Sequence, residues 1–287
     1  MKYATLKAHE AEFRVRLMCR VLDVSSGGYY AWRSRTPSEQ AQTRAALDAT
    51  VREEFKRRKG RAGAPRLSRH LGRGRRQVAQ SLRRQGLRAK AARKFKATTN
   101  SNHSLPVAEN LLQQDFTAQR PNQVWVGDIT YIATDEGWLY LAAVIDLFGR
   151  QVVGWSLQPH MQTSLVKDAL AMAWWRRRPA AGLIFHSDRG SQYCSGEFQA
   201  ILRAWGMRSS MSRKGNCWDN APTESFWGRL KTASVHGQKF ATREQARQAV
   251  MDWMAFYNHR RLHSSLGYLS PMQFEQRWYE AQRKKAA

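Results

Sequence analysis

The stretch Val124–Ile132, VWVGDITYI, decides how this chain is to be read. Its β-branched and aromatic residues mark a strand. Two further strands follow across short connections: WLYLAAVID after the turn DEG, and QVVGWSL after LFGR. Connections this tight imply an antiparallel meander. Then the period changes. TSLVKDALAMAWWRRR reads as an amphipathic helix, GLIFH as a fourth strand, GEFQAILRAWG as a helix and MRSSM as a short fifth strand. SRKGNCWDNAPTESFWGRLK leads through a Gly-Asn loop into another helix, and two more helices close the chain. Thr242 with Gln245, and Ser270 with Gln273, have capping-box spacing, the second with Pro271 at the first helical position.

The order βββ-α-β-α-β is that of an α/β, ribonuclease H-like fold, a mixed five-stranded sheet covered by helices. Residues 122–287 are assigned to this core. Upstream the composition is different. Residues 1–120 hold 27 Lys+Arg against 9 Asp+Glu, while 121–287 hold 21 against 13. Between Glu54 and Glu109 there is no carboxylate at all. We divide this part into a helical segment (1–35), a basic, helix-turn-helix-like region (36–97) and a polar linker (98–121). Ser38 is a candidate N-cap, and Gly60 and Gly86 are helix stops. A net charge of +26 over 287 residues points to a polyanion, with nucleic acid before a membrane surface. Exposed phosphate contacts are expected from Arg75, Arg76, Arg83 and Arg84.

No apolar run of about 18 residues exists to cross a bilayer, and the N-terminus lacks the apolar stretch of a secretion signal. Cys19, Cys194 and Cys217 are far apart and odd in number, which argues against a disulfide framework or a cysteine-rich zinc site and fits a reducing cytoplasm.

Against this positive background, three acids stand out. Asp128 lies inside an apolar strand. Asp188 follows the fourth strand in GLIFHSDRG. Glu224 sits early in the helix after the Gly-Asn loop. Strands one and four are neighbours in a ribonuclease H-like sheet, so Asp128 and Asp188 are expected to face each other. Two buried carboxylates side by side resist ionising. Mg²⁺ removes that difficulty, because it takes carboxylate oxygens together with substrate phosphates. Two such ions, with Glu224 as a further ligand, could activate a nucleophile and stabilise the leaving oxygen of a phosphodiester. Asp146, ending the second strand, reads as an ordinary turn acid.

These residues also carry a resemblance. Thirty-five residues separate Asp188 from Glu224, the D-D-35-E spacing of retroviral integrases and related transposases. The stretches VWVGDITYI, GWLYLAAVIDLFGRQVVGWSL, HSDRGSQYCS, MSRKGNCWDNAPTESFWGRLK, TREQAR and YNHRRLHSSLGYLSPMQF resemble the second-frame protein of bacterial insertion sequences, in the family named after insertion sequence three. The resemblance implies a Mg²⁺- or Mn²⁺-dependent DNA strand-transferase with Asp128, Asp188 and Glu224 as its catalytic triad. In such a reaction water first nicks the element end, and the resulting 3′-OH attacks a second phosphodiester. Terminal repeats and target DNA would be the partners, with assembly of several copies on DNA, action in the bacterial cytoplasm at the nucleoid, and fusion by frameshift to a first-frame protein. One departure is SRHLGRGRRQVAQ (68–80), shorter than in relatives, as though a loop between two helices were trimmed. A hydrolytic nuclease or resolvase, and a non-catalytic DNA-binding regulator descended from a transposase, are the alternatives.

Further positions are candidates for DNA contact. Arg189 follows the second Asp. Trp218 could stack on a base or anchor its loop. Arg260 and Arg261 could meet phosphates. Asn220 is a candidate N-cap for the Glu224 helix, with Pro222 in its first turn. Lys231, seven residues after Glu224, returns to nearly the same face, and integrase relatives similarly place a basic residue there. Gly228 lies between them, where glycine costs about 1 kcal/mol relative to alanine, so we expect room for DNA backbone. His186 suits either a metal-water contact or a packed strand end; His259 and His263 suit solvated or structural roles.

Overall fold

The computed structural model describes residues 2–90, 105–213 and 217–286. Three long strands, β1 (Val124–Thr134), β2 (Gly137–Asp146) and β3 (Gln151–Gln158), form the antiparallel meander. Helix α7 (Thr163–Arg177) then crosses to the short β4 (Ile184–Ser187), which pairs parallel to β1. Next come α8 (Ser191–Cys194), α9 (Gly196–Ala204) and β5 (Arg208–Met211), the last parallel to β4. The sheet order is β3-β2-β1-β4-β5, the mixed five-stranded, ribonuclease H-like arrangement expected from the order of elements. β1 runs two residues beyond Ile132, because its hairpin partner pairs with it out to Thr134–Gly137.

Period-two alternation fills both faces of the sheet. Leu139, Leu141, Ala143 and Ile145 of β2 pack on one side, with residues of α10 (Ala221–Leu230) and α11 (Arg243–His259). Ala142 and Val144 face the other side, with Leu165 and Leu170 of α7 and Phe198 of α9. Trp125 and Trp253 are completely buried, one in each layer. The caps read from sequence are present. Ser38 Oγ accepts from the Ala41 N–H (3.2 Å), and Ser270 and Gln273 form a reciprocal box (3.3 and 3.1 Å) ahead of α12 (Pro271–Ala286). Thr242 accepts from the Gln245 N–H, but Gln245 reaches back to the Ala241 N–H rather than to its own cap.

The basic region contains α4 (Glu39–Arg57), α5 (Ala64–Leu71) and α6 (Arg75–Arg84), packed through Val51, Phe55, Leu67, Val78 and Leu82. Within the segment 68–80, three residues connect the end of α5 to the start of α6. Gly72 closes α5 in the left-handed conformation (φ 61°), which glycine adopts without a Cβ clash. Ahead of it, α1 (Lys2–Ala8), α2 (Val15–Val21) and α3 (Ser26–Ser34) gather round Leu6, Cys19 and Tyr29. The basic region touches the core directly: Arg66 Nε donates to the Leu262 carbonyl (2.9 Å) and Lys90 Nζ to the Ala233 carbonyl (3.2 Å). Among the described residues, no helix is long and apolar enough to cross a membrane. Cys19 and Cys194 are free and buried.

Candidate active site

The parallel pairing of β1 with β4 aligns Val124 with Ile184 and Val126 with His186. Carried two residues further, the same register sets Asp128 beside Asp188. The close approach of the strands depends on Gly127, since a Cβ there would lie 2.5 Å from the Phe185 ring. Asp188 is 9% exposed, and its Oδ1 accepts from the Gly190 N–H (2.9 Å), which turns the chain into α8. Asp128 Oδ1 accepts from the Ile129 N–H (2.7 Å) and its Oδ2 from the Trp227 indole N–H (2.9 Å). Burial, and then the Asp188 charge, push the Asp128 carboxyl up to about 7, despite hydrogen bonds that favour the anion. Tyr193, buried beneath the pair, is raised well above its ordinary value by burial and by both carboxylates.

Helix α10 is the third element. Its Trp227 holds Asp128, and its Thr223 hydroxyl also favours the Asp128 anion. These residues are one helical turn apart and fix the helix against β1. Glu224 follows Thr223 in the first turn and is exposed, with its carboxyl raised by the partial burial it has. Among the described residues, no three His, Cys, Asp or Glu side chains are drawn together closely enough to hold a metal ion. The structure therefore brings two of the three expected acids together and leaves Glu224 at the rim.

Asn220 does not cap α10. Its φ of −117° and ψ of 16° follow from a 3-10 turn over Cys217–Asn220, its amide donates to Ser212 Oγ (3.4 Å), and its carbonyl accepts from Thr223 Oγ1 (2.8 Å). Lys231 lies just past the α-helical part of α10, where one π turn (Lys231–Val235) begins. Thr232 Oγ1 shares the Gly228 carbonyl at 2.6 Å, back-bonding of the kind that perturbs helices. Lys231 Nζ rests over the Tyr131 ring (5.2 Å), half-buried. Burial lowers its ammonium and the Asp128 charge opposes that. It thus faces β1 instead of extending the exposed face of Glu224. A Cβ on Gly228 would meet nothing within 4 Å, so the expected room is there.

The other basic candidates divide. Arg75, Arg76 and Arg83 are exposed. Arg84 is occupied by a two-point ion pair with Asp48 (2.7 and 3.0 Å), which neutralises it toward DNA. Arg189 Nε donates to the Ser212 carbonyl (2.6 Å), tying β4 to the chain after β5. Trp218 is 71% exposed. Arg260 is exposed, whereas Arg261 is 7% exposed and hydrogen-bonded to His263 (2.9 Å). His186 is a packed strand-end histidine: its ring bonds Ser210 Oγ (2.9 Å) and the Asp219 carbonyl (3.1 Å), and burial lowers its pKa.

Sequence reading alone missed three groups. Thr223 and Trp227 are recognisable only once α10 is seen against β1. Asp219, 1% exposed, gathers Arg213, Asn110 and Gln114, and so ties the start of the α10 approach to the end of β5 and to the chain before β1. Arg213 holds its carboxyl far below the usual range. Asp146 is also more than a turn acid. Completely buried, it accepts from the Asn122 and Phe148 N–H groups (2.7 and 2.9 Å), and burial pushes it up to about 6.

A carboxylate pair set between the middle of β1 and the end of β4 in such a sheet is the arrangement of an integrase-type core. In agreement, the integrase core domain family matches residues 118–217, and a second integrase core domain family matches 205–271. The Escherichia coli K12 proteins named transposase InsF for insertion sequences IS3A and IS3fB are 51% and 50% identical, each over 96% of this chain and 98% of its own length. A Shigella sonnei insertion element IS600 31 kDa protein is 45% identical over 92% of this chain and 99% of its own. Among solved structures, the HTLV-2 integrase catalytic core domain in complex with magnesium aligns at TM-score 0.44 and 16% identity, over 55% of this chain and 99% of that one. The chain belongs to the insertion-sequence-three transposase family and is a DNA transposase. Neither the nuclease nor the regulator alternative draws support from these relatives.

Proposed function

We propose that this transposase cleaves element 3′ ends and joins them to target DNA at a divalent-metal site held by Asp128, Asp188 and Glu224. The observation that carries this reading is the pairing of a half-buried Asp128 with a buried Asp188, whose partial desolvation and mutual repulsion disfavour two negative charges without a cation. The donor set is all carboxylate oxygen, which suits Mg²⁺ or Mn²⁺, two ions in the full reaction. Bound there, the metal would supply Lewis-acid stabilisation of the phosphorane charge and a stronger oxygen nucleophile. The chain's own residues do the positioning. Trp227 and the Ile129 N–H fix the Asp128 carboxylate, the Gly190 N–H fixes Asp188, and Glu224 joins from the first turn of α10 by a side-chain movement that its exposure permits. In the first step water oxygen bonds to phosphorus and the bond to the 3′ oxygen breaks. In the second, the freed 3′-OH bonds to phosphorus of the target, expels the 5′-side fragment through its own 3′ oxygen, and loses its proton to solvent.

Arg75, Arg76 and Arg83 supply phosphate contacts, Trp218 stacks on a base exposed at the cleaved end, and Arg260 meets backbone beside it. Action at the cytoplasmic nucleoid, assembly of several copies on paired ends, and fusion to a first-frame protein complete the proposal. The test is strand transfer on oligonucleotides bearing the element ends, with Mg²⁺, Mn²⁺ or chelator. Joined product that depends on metal and on all three acids is expected. Metal-independent joining would overturn it.

A further inference from the structure

Beside α10 the core and the basic helices enclose an open cleft of about 420 Å³, lined among others by Arg61, Arg66 and Lys90 from one side and by Gly228, Arg229 and Arg261 from the other. The hydrogen-bond partners of these cations are neutral, and the one acid that acts on them is Asp252, whose charge favours the Arg61 cation without an ion pair among the described residues. Arg61 Nη2 donates to Ser234 Oγ (3.1 Å), Arg66 to the Leu262 carbonyl, Lys90 to the Ala233 carbonyl, Arg229 to Ser225 Oγ (3.3 Å), and Arg261 meets His263. Arg61 Nε is buried with no hydrogen-bond partner. None of the five forms an ion pair among the described residues, and the segments outside them carry no side-chain carboxylate. Burial, and then the Arg229 charge, lower the proton affinity of Arg66 and of Arg261, and the Arg66 charge lowers that of Arg261 further. His263 beside them is driven far below its ordinary range by burial and by these charges. Arginine does not discharge by losing a proton, so the cluster stays positive and costs the free protein stability. An anion offsets that cost.

We infer that this cleft is a clamp for a DNA backbone phosphate, seated between the basic helices and α10, so that DNA engagement holds the two parts together. This deepens the transposase reading and rests on it only for the identity of the anion. The cleft shares α10 with Glu224, one turn before Gly228, so a duplex whose phosphate fills it passes the carboxylate site. The open space at Gly228 gives the backbone room to approach.

The test uses the full chain in chelator, so that binding is read apart from cleavage and a wrong triad leaves the result untouched. Arg261→Met, Arg66→Gln and Arg229→Gln are compared with the parent for melting temperature without DNA, and for duplex affinity across a salt titration. Arg261→Met should melt about 2–4 °C higher, since each kcal/mol of relief in a chain of this size shifts melting by about that much. All three should bind DNA about tenfold more weakly. Their log–log salt slopes should fall by about 0.9, the loss of one neutralised phosphate. Inorganic phosphate at millimolar concentration should raise the parent's melting temperature and raise that of the variants less. Parental affinity and slope in Arg66→Gln and in the exposed Arg229→Gln would overturn the inference, whatever Arg261→Met does to folding. So would phosphate stabilisation without any change in DNA binding, which would assign the cleft to free anions.

Discussion

The carboxylates in mid-β1 and just after β4 and the guanidiniums in the cleft beside α10 are both clusters of like charge partly withdrawn from water, but they have different means of relief. Asp128 sits near 7 because protonation of the pair is within reach at neutral pH, so the site can rest half-discharged and exchange its proton for a cation. The arginines have no such reserve. Their repulsion is answered only by an anion, by distance or by water. The acidic site is therefore tuned by pH and metal, and the basic cleft by salt and DNA. One helix carries residues of both, with Thr223 and Trp227 on Asp128 and Gly228 and Arg229 at the cleft.

The sharpest way to break this contrast is to neutralise the acids alone. Asp128→Asn and Asp188→Asn keep shape and lose the charge that holds metal. Each should lower cleavage of element-end oligonucleotides by about a thousandfold or more, several kcal/mol of barrier. Duplex affinity in chelator should stay within about twofold. Cleavage near the parental rate in either variant would remove that residue from the site.

Gly228→Leu probes the other side. The position is open and leucine is the better helix former, so the melting temperature should not fall. The side chain would occupy the cleft, and we expect DNA affinity and strand transfer both to drop about tenfold. A variant that binds and joins DNA like the parent would show that no backbone passes there.

The pH response of the metal-free protein comes next. Asp128 and Asp146 have folded pKa values of about 7 and about 6, above an unfolded value near 3.8. Each binds its proton more tightly when folded. Their stabilisation is full below about pH 4 and is lost as pH rises through the folded values, whereas the buried His186 and His263, lowered when folded, add stability as pH rises toward about 6.5, so the acid is read from the difference between the parent and Asp128→Asn over about pH 4 to 7. The Asp128 part of that difference should fall by a few kcal/mol, or several degrees of melting temperature. Mg²⁺ should restore much of it above pH 7, and Asp128→Asn should flatten the upper part of the curve. A metal-free difference between parent and Asp128→Asn that does not fall over this range would contradict the environment assigned to Asp128.

The smallest effects separate the arginines of α6. Arg75→Ala with Arg76→Ala should reduce the salt slope of DNA binding by about 0.9 for each phosphate lost. Arg84→Ala should change the slope little, because Asp48 already neutralises that side chain. It should change the melting temperature little, as suits a partly exposed pair. Equal slopes for Arg84 and its neighbours would mean that the ion pair yields to DNA.

Strand period, turn spacing and the apolar frame of Asp128 determined the sheet and its order from sequence alone, because each depends on neighbours within a few residues. The absence of acids from Glu54 to Glu109 likewise determined that the basic half would carry uncompensated charge. The register of parallel β1 and β4, which puts Asp128 beside Asp188, needed the chain to return across α7. The grip of Trp227 on Asp128 and the gathering of Asn110, Gln114 and Arg213 on Asp219 join residues from 6 to 109 positions apart. Lys231 looked like the continuation of the Glu224 face because an ideal helix repeats that way, and the π turn with the Tyr131 ring decided otherwise. Arg260 and Arg261 are adjacent in sequence and alike in chemistry, yet one faces solvent and the other is buried among its own kind. That separation is a property of packing. A linear pattern specifies which groups carry charge, and only the folded arrangement decides which of those charges have lost their water.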